Sequence, residues 1–305
     1  MVKEINYRKP LRVRKTTSDK IWDIVIVVFL SVVALQALLP FLYVLAGSFS
    51  TEKELTERAF FIIPHTISFN AYKYITQTGE IFRGLRNSFF LTVIGTFCSL
   101  FFTSTFAYPL SKSHLRGRNV ILNLVIFTMV FSGGLIPTFL VVKSLGLYNH
   151  YSALILLAAI SPFNMIIMKS FFANIPQELE EAALIDGYSE LGVFIHIVLP
   201  LSKPVLASIG LFVAVSFWND YFNAMIYLND SAKETVQIVL RRIVLLATGG
   251  DQINASGFDF DQFGAPPDKA VKMAATVVAT IPILCVYPFL QKYFAKGVML
   301  GAVKG

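Results

Sequence analysis

Long apolar runs alternate with polar interruptions along this chain, and the lengths of both carry the first expectations. A helix needs roughly 20 consecutive apolar residues to cross a bilayer, and that criterion gives spans at about 21–46, 85–110, 119–141, 152–172, 203–229 and 271–294. The expected fold class is all-α, a polytopic membrane protein with six transmembrane helices. The first run exceeds the roughly 7–15 apolar residues of a secretory signal and reads as a retained anchor. An even number of spans puts both termini on one side. The short loop Ser111–Arg118 carries Lys112, Arg116 and Arg118 without an acid, while the short loop Val142–Tyr151 carries one lysine. The excess of basic residues on cytoplasmic loops then places both termini in the cytoplasm, with Ser111–Arg118 and the fourth-to-fifth interval. Residues 1–20 form a basic tail, 21–294 one membrane unit, and 295–305 a short second tail.

The interval between spans four and five is the most patterned. From Ile175 to Leu206 the chain turns amphipathic and net acidic. Two short helices with a turn are expected. Asn174 is placed to cap the first, with Pro176 in its first turn. Glu178, Glu180 and Glu181 suit the positive end of the helix dipole. Ile175, Leu179, Ala182 and Ala183 are expected on one face. Gly187 breaks the helix, and Leu191, Phe194, Ile195 and Val198 give the second helix an apolar stripe that Pro200 ends. Asp186 opposes the dipole at the end of the first helix, so helix stability does not account for it. A cap for the second helix, with Glu190 in a capping-box position behind Gly187, and a contact to a partner both remain open, and they are compatible. A DNA-reading helix pair is disfavoured, because it needs basic residues for phosphates.

Two spans carry unusual interiors. Ser132-Gly133-Gly134-Leu135-Ile136-Pro137 weakens the third. Close helix packing and a hinge beside a pathway are both consistent with it. The fifth holds Trp218, Asn219, Asp220, Tyr221 and Asn223 inside an apolar run. A carboxylate there costs at least about 2.5–3.5 kcal/mol unless it meets a polar cavity or partner. Asn219 and Asn223, four apart, are expected on one helix face. Trp218 and Tyr221 are candidates for stacking on sugar rings, whose C–H faces are apolar; hydrogen bonding to a neighbouring helix is the other reading.

Composition narrows the function classes. The 305 residues are 55% hydrophobic and 15% charged, which excludes an ordinary soluble domain. The net charge of +7 owes much to the first twenty residues and fits an anchor on anionic lipid better than a nucleic-acid tail. Cys98 and Cys285 lie in apolar runs and are expected as free buried thiols. The four histidines are scattered, and no metal-ligand spacing is visible. No phosphate-binding G-x-x-x-x-G-K-[ST] motif is present, so an intrinsic ATPase is not expected. Of the two long outer loops, Ser48–Arg86 is rich in aromatics suited to the membrane edge, with contact to an external partner as a second option. The segment Asn229–Ala270 reads as a solvated loop. Asp251, Asp259 and Asp261 do not match a calcium loop. Gly297, Gly301 and Gly305 are expected to prevent a stable terminal helix.

E181-A182-A183-x-x-D186-G187, followed by Ile197, Leu199-Pro200-Leu201 and Pro204, resembles the EAA loop of bacterial ABC-importer permeases. The stretches around Gly133, Trp218 and Gly297 extend the resemblance to carbohydrate-type permeases of the maltose-permease class, in the subgroup associated with complex oligosaccharides. Tyr188 departs from the alanine many of these have. The resemblance implies a non-enzymatic half of a translocation pore for a sugar, in a bacterial cytoplasmic membrane. It implies a second homologous permease, two ATPase subunits that bind the ATP and magnesium, and an extracytoplasmic solute-binding protein. Glu181, Ala182, Ala183, Asp186 and Gly187 would form the coupling helix that docks on the ATPase. Trp218, Asn219, Asp220, Tyr221 and Asn223 are the candidates for the pathway. An ion-coupled secondary transporter is the competing class. The scarcity of intramembrane acids beyond Asp220 and the lack of an evident inverted repeat speak against it.

Overall fold

The computed structural model describes residues 16–246 and 269–302. Its regular structure is all helix, with no strand among the described residues. The tail before residue 16, the Gly/Asp-rich stretch 247–268 and the last three residues lie outside the description. So do the expectations for Asp251, Asp259, Asp261 and Gly305.

Three helices are long and apolar enough to cross a membrane unaided: α1 (Thr17–Ser48), α4 (Glu80–Ser111) and the first part of α15 (Lys269–Ala302). Between α1 and α4 lie α2 (Glu52–Glu57) and α3 (Asn70–Thr78). The remaining apolar runs are bent. Helices α5 (Arg118–Val130) and α6 (Leu135–Ser144) meet at 116°, and α7 (Tyr151–Leu157) and α8 (Pro162–Ala173) at 53°. After α9 (Gln177–Ile185), the segment Glu190–Leu201 meets α12 (Lys203–Asn219) at 79°. That segment comprises α10 (Glu190–Val193), a π-helical turn Phe194–Val198 and α11 (Leu199–Leu201). Then come α13 (Phe222–Tyr227), a 3₁₀ turn Ser231–Lys233 and α14 (Val236–Leu246). Counting each bent pair as one span gives six.

The breaks have local causes. Gly134 takes φ +82°, and a Cβ on Gly133 would meet nothing within 4 Å. The paired glycines therefore break the third run by backbone conformation, and no side chain among the described residues packs closely on Gly133. At the fourth, the Ser161 hydroxyl accepts the Asn164 N–H at 3.5 Å and Pro162 opens α8, where a missing N–H costs nothing.

Helix α4 is the centre. It packs along α8 and α12, with α14 across its outer part. Small polar residues let its neighbours approach: a Cβ on Gly95 would stand 2.5 Å from the Phe217 ring, and Ser99 and Thr103 are buried. One core joins α4, α7, α8, α12 and α13 with the 175–198 segment. A second joins the end of α1 with α2, α3, α14 and α15. In the aromatic loop between α1 and α4, the Phe49 and Tyr72 rings lie 4.9 Å apart while Ile63 is exposed. The His65 N–H donates to Glu54 and the Arg58 guanidinium pairs with it, holding that carboxyl below its ordinary value. The first turns of α1 are bare apolar surface, as lipid or a partner helix requires.

Three expectations are corrected here. The fifth run is not one helix over 203–229, because Asp220 is extended (φ −72°, ψ 93°) and separates α12 from α13. Helix α15 continues through Gly297 and Gly301 to Ala302, since extending an existing helix is far cheaper than starting one. Cys98 and Cys285 are free, but the first is half-buried and the second exposed.

Candidate functional site

Between α8 and α12 the chain leaves the bundle and returns. Asn174 closes α8, its side chain donating to the Ser170 carbonyl at 2.9 Å, and Pro176 takes the N-cap of α9. Asn174 thus does not cap α9 as the sequence suggested, and Pro176 stands one place before the first turn, at the N-cap. Helix α9 ends in a complete Schellman turn. The Gly187 N–H reaches Leu184 O at 3.1 Å, and the Tyr188 N–H reaches Ala183 O at 3.0 Å. The turn needs a left-handed residue, and Gly187 supplies φ +91°. Ser189 caps α10, accepting the Gly192 N–H at 3.2 Å, so neither Asp186 nor Gly187 caps it and the Glu190 capping box does not form.

Helix phase sorts the site residues. Glu180 and Ala183 are buried, together with Ile175. Glu181, Ala182, Asp186 and Gly187 are exposed. Ala183 therefore packs inward, and Ala182 alone of the pair is open to a partner. Leu179 faces out, against expectation, beside Leu184, Ile185, Tyr188 and Leu191. Ile185 is 86% exposed, at the tip of an apolar patch. The stripe expected on the second helix is split as well. Phe194 and Val198 are buried with Val193, while Leu191 and Ile195 are exposed. The π turn, in which the Leu199 N–H reaches Phe194 O, adds a residue to the turn and rotates the phase. Pro200 does not end the helix, which runs to Leu201 and breaks at Ser202.

The inward acid has a built partner. Glu180 pairs with Lys112 and accepts the Tyr108 hydroxyl at 3.3 Å. Lys112 also stands over the Tyr108 ring at 4.5 Å. Sequence reasoning missed all three. Their signal was a cation in the loop after span two and one glutamate spaced three from Ala183. In the same loop, Arg118 Nε donates to the Leu110 carbonyl at 2.9 Å, closing the end of α4.

At the other end of α12, Asp220 accepts the backbone and side-chain N–H groups of Asn223, each at 3.1 Å. Asn219 instead turns back to Val215 O at 3.0 Å. The expected shared helix face of Asn219 and Asn223 is lost, because Asp220 interrupts the helix and Asn223 turns to Asp220. Tyr221 lies under the Arg241 guanidinium at 4.4 Å. Trp218 is 6% exposed and packs among Val236, Ala279 and Leu240. It is not open to a solute in this conformation.

A family model described as binding-protein-dependent transport system inner membrane component matches residues 99–300, two-thirds of the chain and all of the bent region just described. The chain belongs to this family. Its members are transport components rather than enzymes. The protein is 54% identical over 290 residues to protein LplC of Bacillus subtilis (strain 168), covering 95% of this chain and 97% of that one. It is 52% identical to the polygalacturonan/rhamnogalacturonan transport system permease protein YtcP of the same organism, covering 94% of this chain and 99% of that one. A bacterial ABC transporter that imports the acidic polysaccharide alginate contains a chain of the same fold, with TM-score 0.82 and 35% identity over 92% of this chain and 99% of that one. The protein is thus a permease subunit of a binding-protein-dependent, ATP-driven importer in the cell membrane, working with ATPase and solute-binding partners. Nothing in these similarities supports an ion-coupled transporter.

Proposed function

We propose that this permease forms half of the translocation pathway for an acidic oligosaccharide, beside a second homologous permease and above two ATPase subunits, with both termini in the cytoplasm. ATP and magnesium belong to the ATPase subunits. The observation that carries the coupling role is the α9 tip. Glu181, Ala182, Asp186 and the apolar Ile185 stand out together on a helix held rigid from behind by Ala183 and Glu180. An exposed apolar patch ringed by acids is the form of a docking surface. The substrate class rests on two similarities, to a permease named for polygalacturonan/rhamnogalacturonan and to an importer of alginate. Arg241, fixed on Tyr221 beside the Asp220 break, adds a cation that suits a uronate.

The test is mild extraction of the tagged protein from its host, with identification of what accompanies it. An ATPase subunit and a second permease should co-purify and be lost with Glu181→Lys. A chain that purifies alone and supports uptake driven by an ion gradient would sink the proposal. Uptake of labelled oligogalacturonides into cells should depend on the chain, and equal uptake without it would remove that substrate class. For the 219–223 segment, Asp220→Leu should lower uptake while assembly is kept. Unchanged uptake would assign the segment to helix packing.

A further inference from the structure

We infer that Lys112, Tyr108 and Glu180 form a fixed joint carrying movement of α9 directly into α4, which makes Lys112 a positioning residue for coupling. The inference rests on the docking of α9 proposed above. It concerns groups that docking alone does not use, because all three face away from the exposed tip.

The chain connections of α9 are poor levers. On one side lies the non-helical stretch at Asn174–Pro176, on the other the Gly187 turn. A force applied at Ile185 would let α9 swivel between these two points unless something behind it resisted. The Glu180 carboxylate is that something. Lys112 and Tyr108 both stand on the last turns of α4 and the residue after it, and Glu180 meets both.

The contact is built to stay closed. Side-chain exposure is 16% at Lys112 and 11% at Glu180. An exposed pair would contribute about 0–1 kcal/mol and open readily. A pair this buried resists separation, because neither charge regains full hydration on its own. Tyr108 adds a wedge. Its ring lies 4.8 Å from that of Phe194 and 6.3 Å from that of Phe172, so the joint is seated on the π turn and on α8 as well. The choice of acid is specific. Glu190 lines the same cavity of about 330 Å³ as Lys112 and Tyr108, yet Lys112 pairs with Glu180.

The route matters because of where it arrives. Helix α4 is the element on which α8, α12 and α14 all pack. A push on α9 therefore enters the bundle at its centre. Lys112 and Glu180 are 68 residues apart in sequence, so the joint is a tertiary strut and not a property of one loop.

The experiment uses the complete transporter, purified through a tag on this chain and placed in lipid nanodiscs. Cys98 and Cys285 are replaced by serine. Spin labels are placed at the exposed positions Ser113 and Glu178, and their separation is measured without nucleotide and after trapping with MgATP and vanadate. The parent chain should give one narrow distribution, identical in both states. With Lys112→Met the distribution should broaden and shift on trapping, while ATP hydrolysis persists. Lys112→Arg should stay narrow, as should Glu190→Gln. A parent distance that moves on trapping as much as that of Lys112→Met would overturn the joint, as would a Lys112→Met distance that stays narrow. If Lys112→Met fails to assemble, the exchange of Lys112→Glu with Glu180→Lys decides. An assembled, narrow exchange supports the joint, and a broad one refutes it. A Glu178 label equally mobile with and without the ATPase subunits would refute the docking itself, which is a different result from a moving joint.

Discussion

Gly187→Val should leave the membrane-inserted bundle intact and abolish ATP-driven uptake. A Cβ at this position would meet nothing within 4 Å, so crowding is not the reason. The reason is the backbone at φ +91°. Left-handed conformations cost an L-residue roughly 1–2 kcal/mol, and β-branched residues tolerate them worst. Valine is relieved by leaving that region, and the two Schellman bonds from Gly187 and Tyr188 go with it. Helix α9 is then re-aimed relative to α10, and Ile185 and Glu181 no longer stand where a partner expects them. The bundle survives because few α9 side chains belong to its core, Ala183 among them. ATPase and uptake assays on assembled transporter check this, with Gly187→Asn as the control that accepts a left-handed backbone. Uptake at the parent rate in the valine variant would refute the coupling role of this turn.

Gly95→Leu should act in the opposite way, on the bundle and not on its coupling. The first atom added would fall 2.5–2.8 Å from three atoms of the Phe217 ring. Phe217 is 4% exposed and has no open space to move into. Overpacking of this kind costs about 1–3 kcal/mol, and α4 against α12 is among the largest contacts in the molecule. The expected readout is a lower thermal midpoint in detergent and less protein in the membrane. Phe217→Ala in the same chain should recover part of the loss. An unshifted midpoint for Gly95→Leu would mean that α4 and α12 pack differently from this description.

The positions of the apolar runs were legible because crossing a bilayer is a demand on length and composition, which a sequence displays directly. The turn at Gly187 was legible for a similar reason, since one residue type serves it best. What stayed hidden depended on phase and on distant partners. Glu178, Glu180 and Glu181 look alike in sequence. Only the helix start at Pro176 decides that Glu180 points inward and Glu181 outward. Lys112 was read as a marker of sidedness, although its ammonium is committed to a residue 68 positions on. The stripe expected over Leu191–Val198 assumed a 3.6-residue turn, and the π turn removes that assumption. Asp220 was noticed as an expensive charge, but its role as a helix break depends on the Asn223 groups it accepts.

Both ends of α4 are completed by segments the ribosome makes much later. At the C-terminal end, Lys112 waits for Glu180. Toward the other end, Asn87 donates to the carbonyls of Ala232 and Glu234, and Ser88 accepts the Val236 N–H. Until those segments are made, the polar groups at the two ends of α4 lack the partners they have in the folded chain. The two ends therefore close in chain order: Glu180 meets Lys112 first, and only residues 232–236 supply the partners of Asn87 and Ser88.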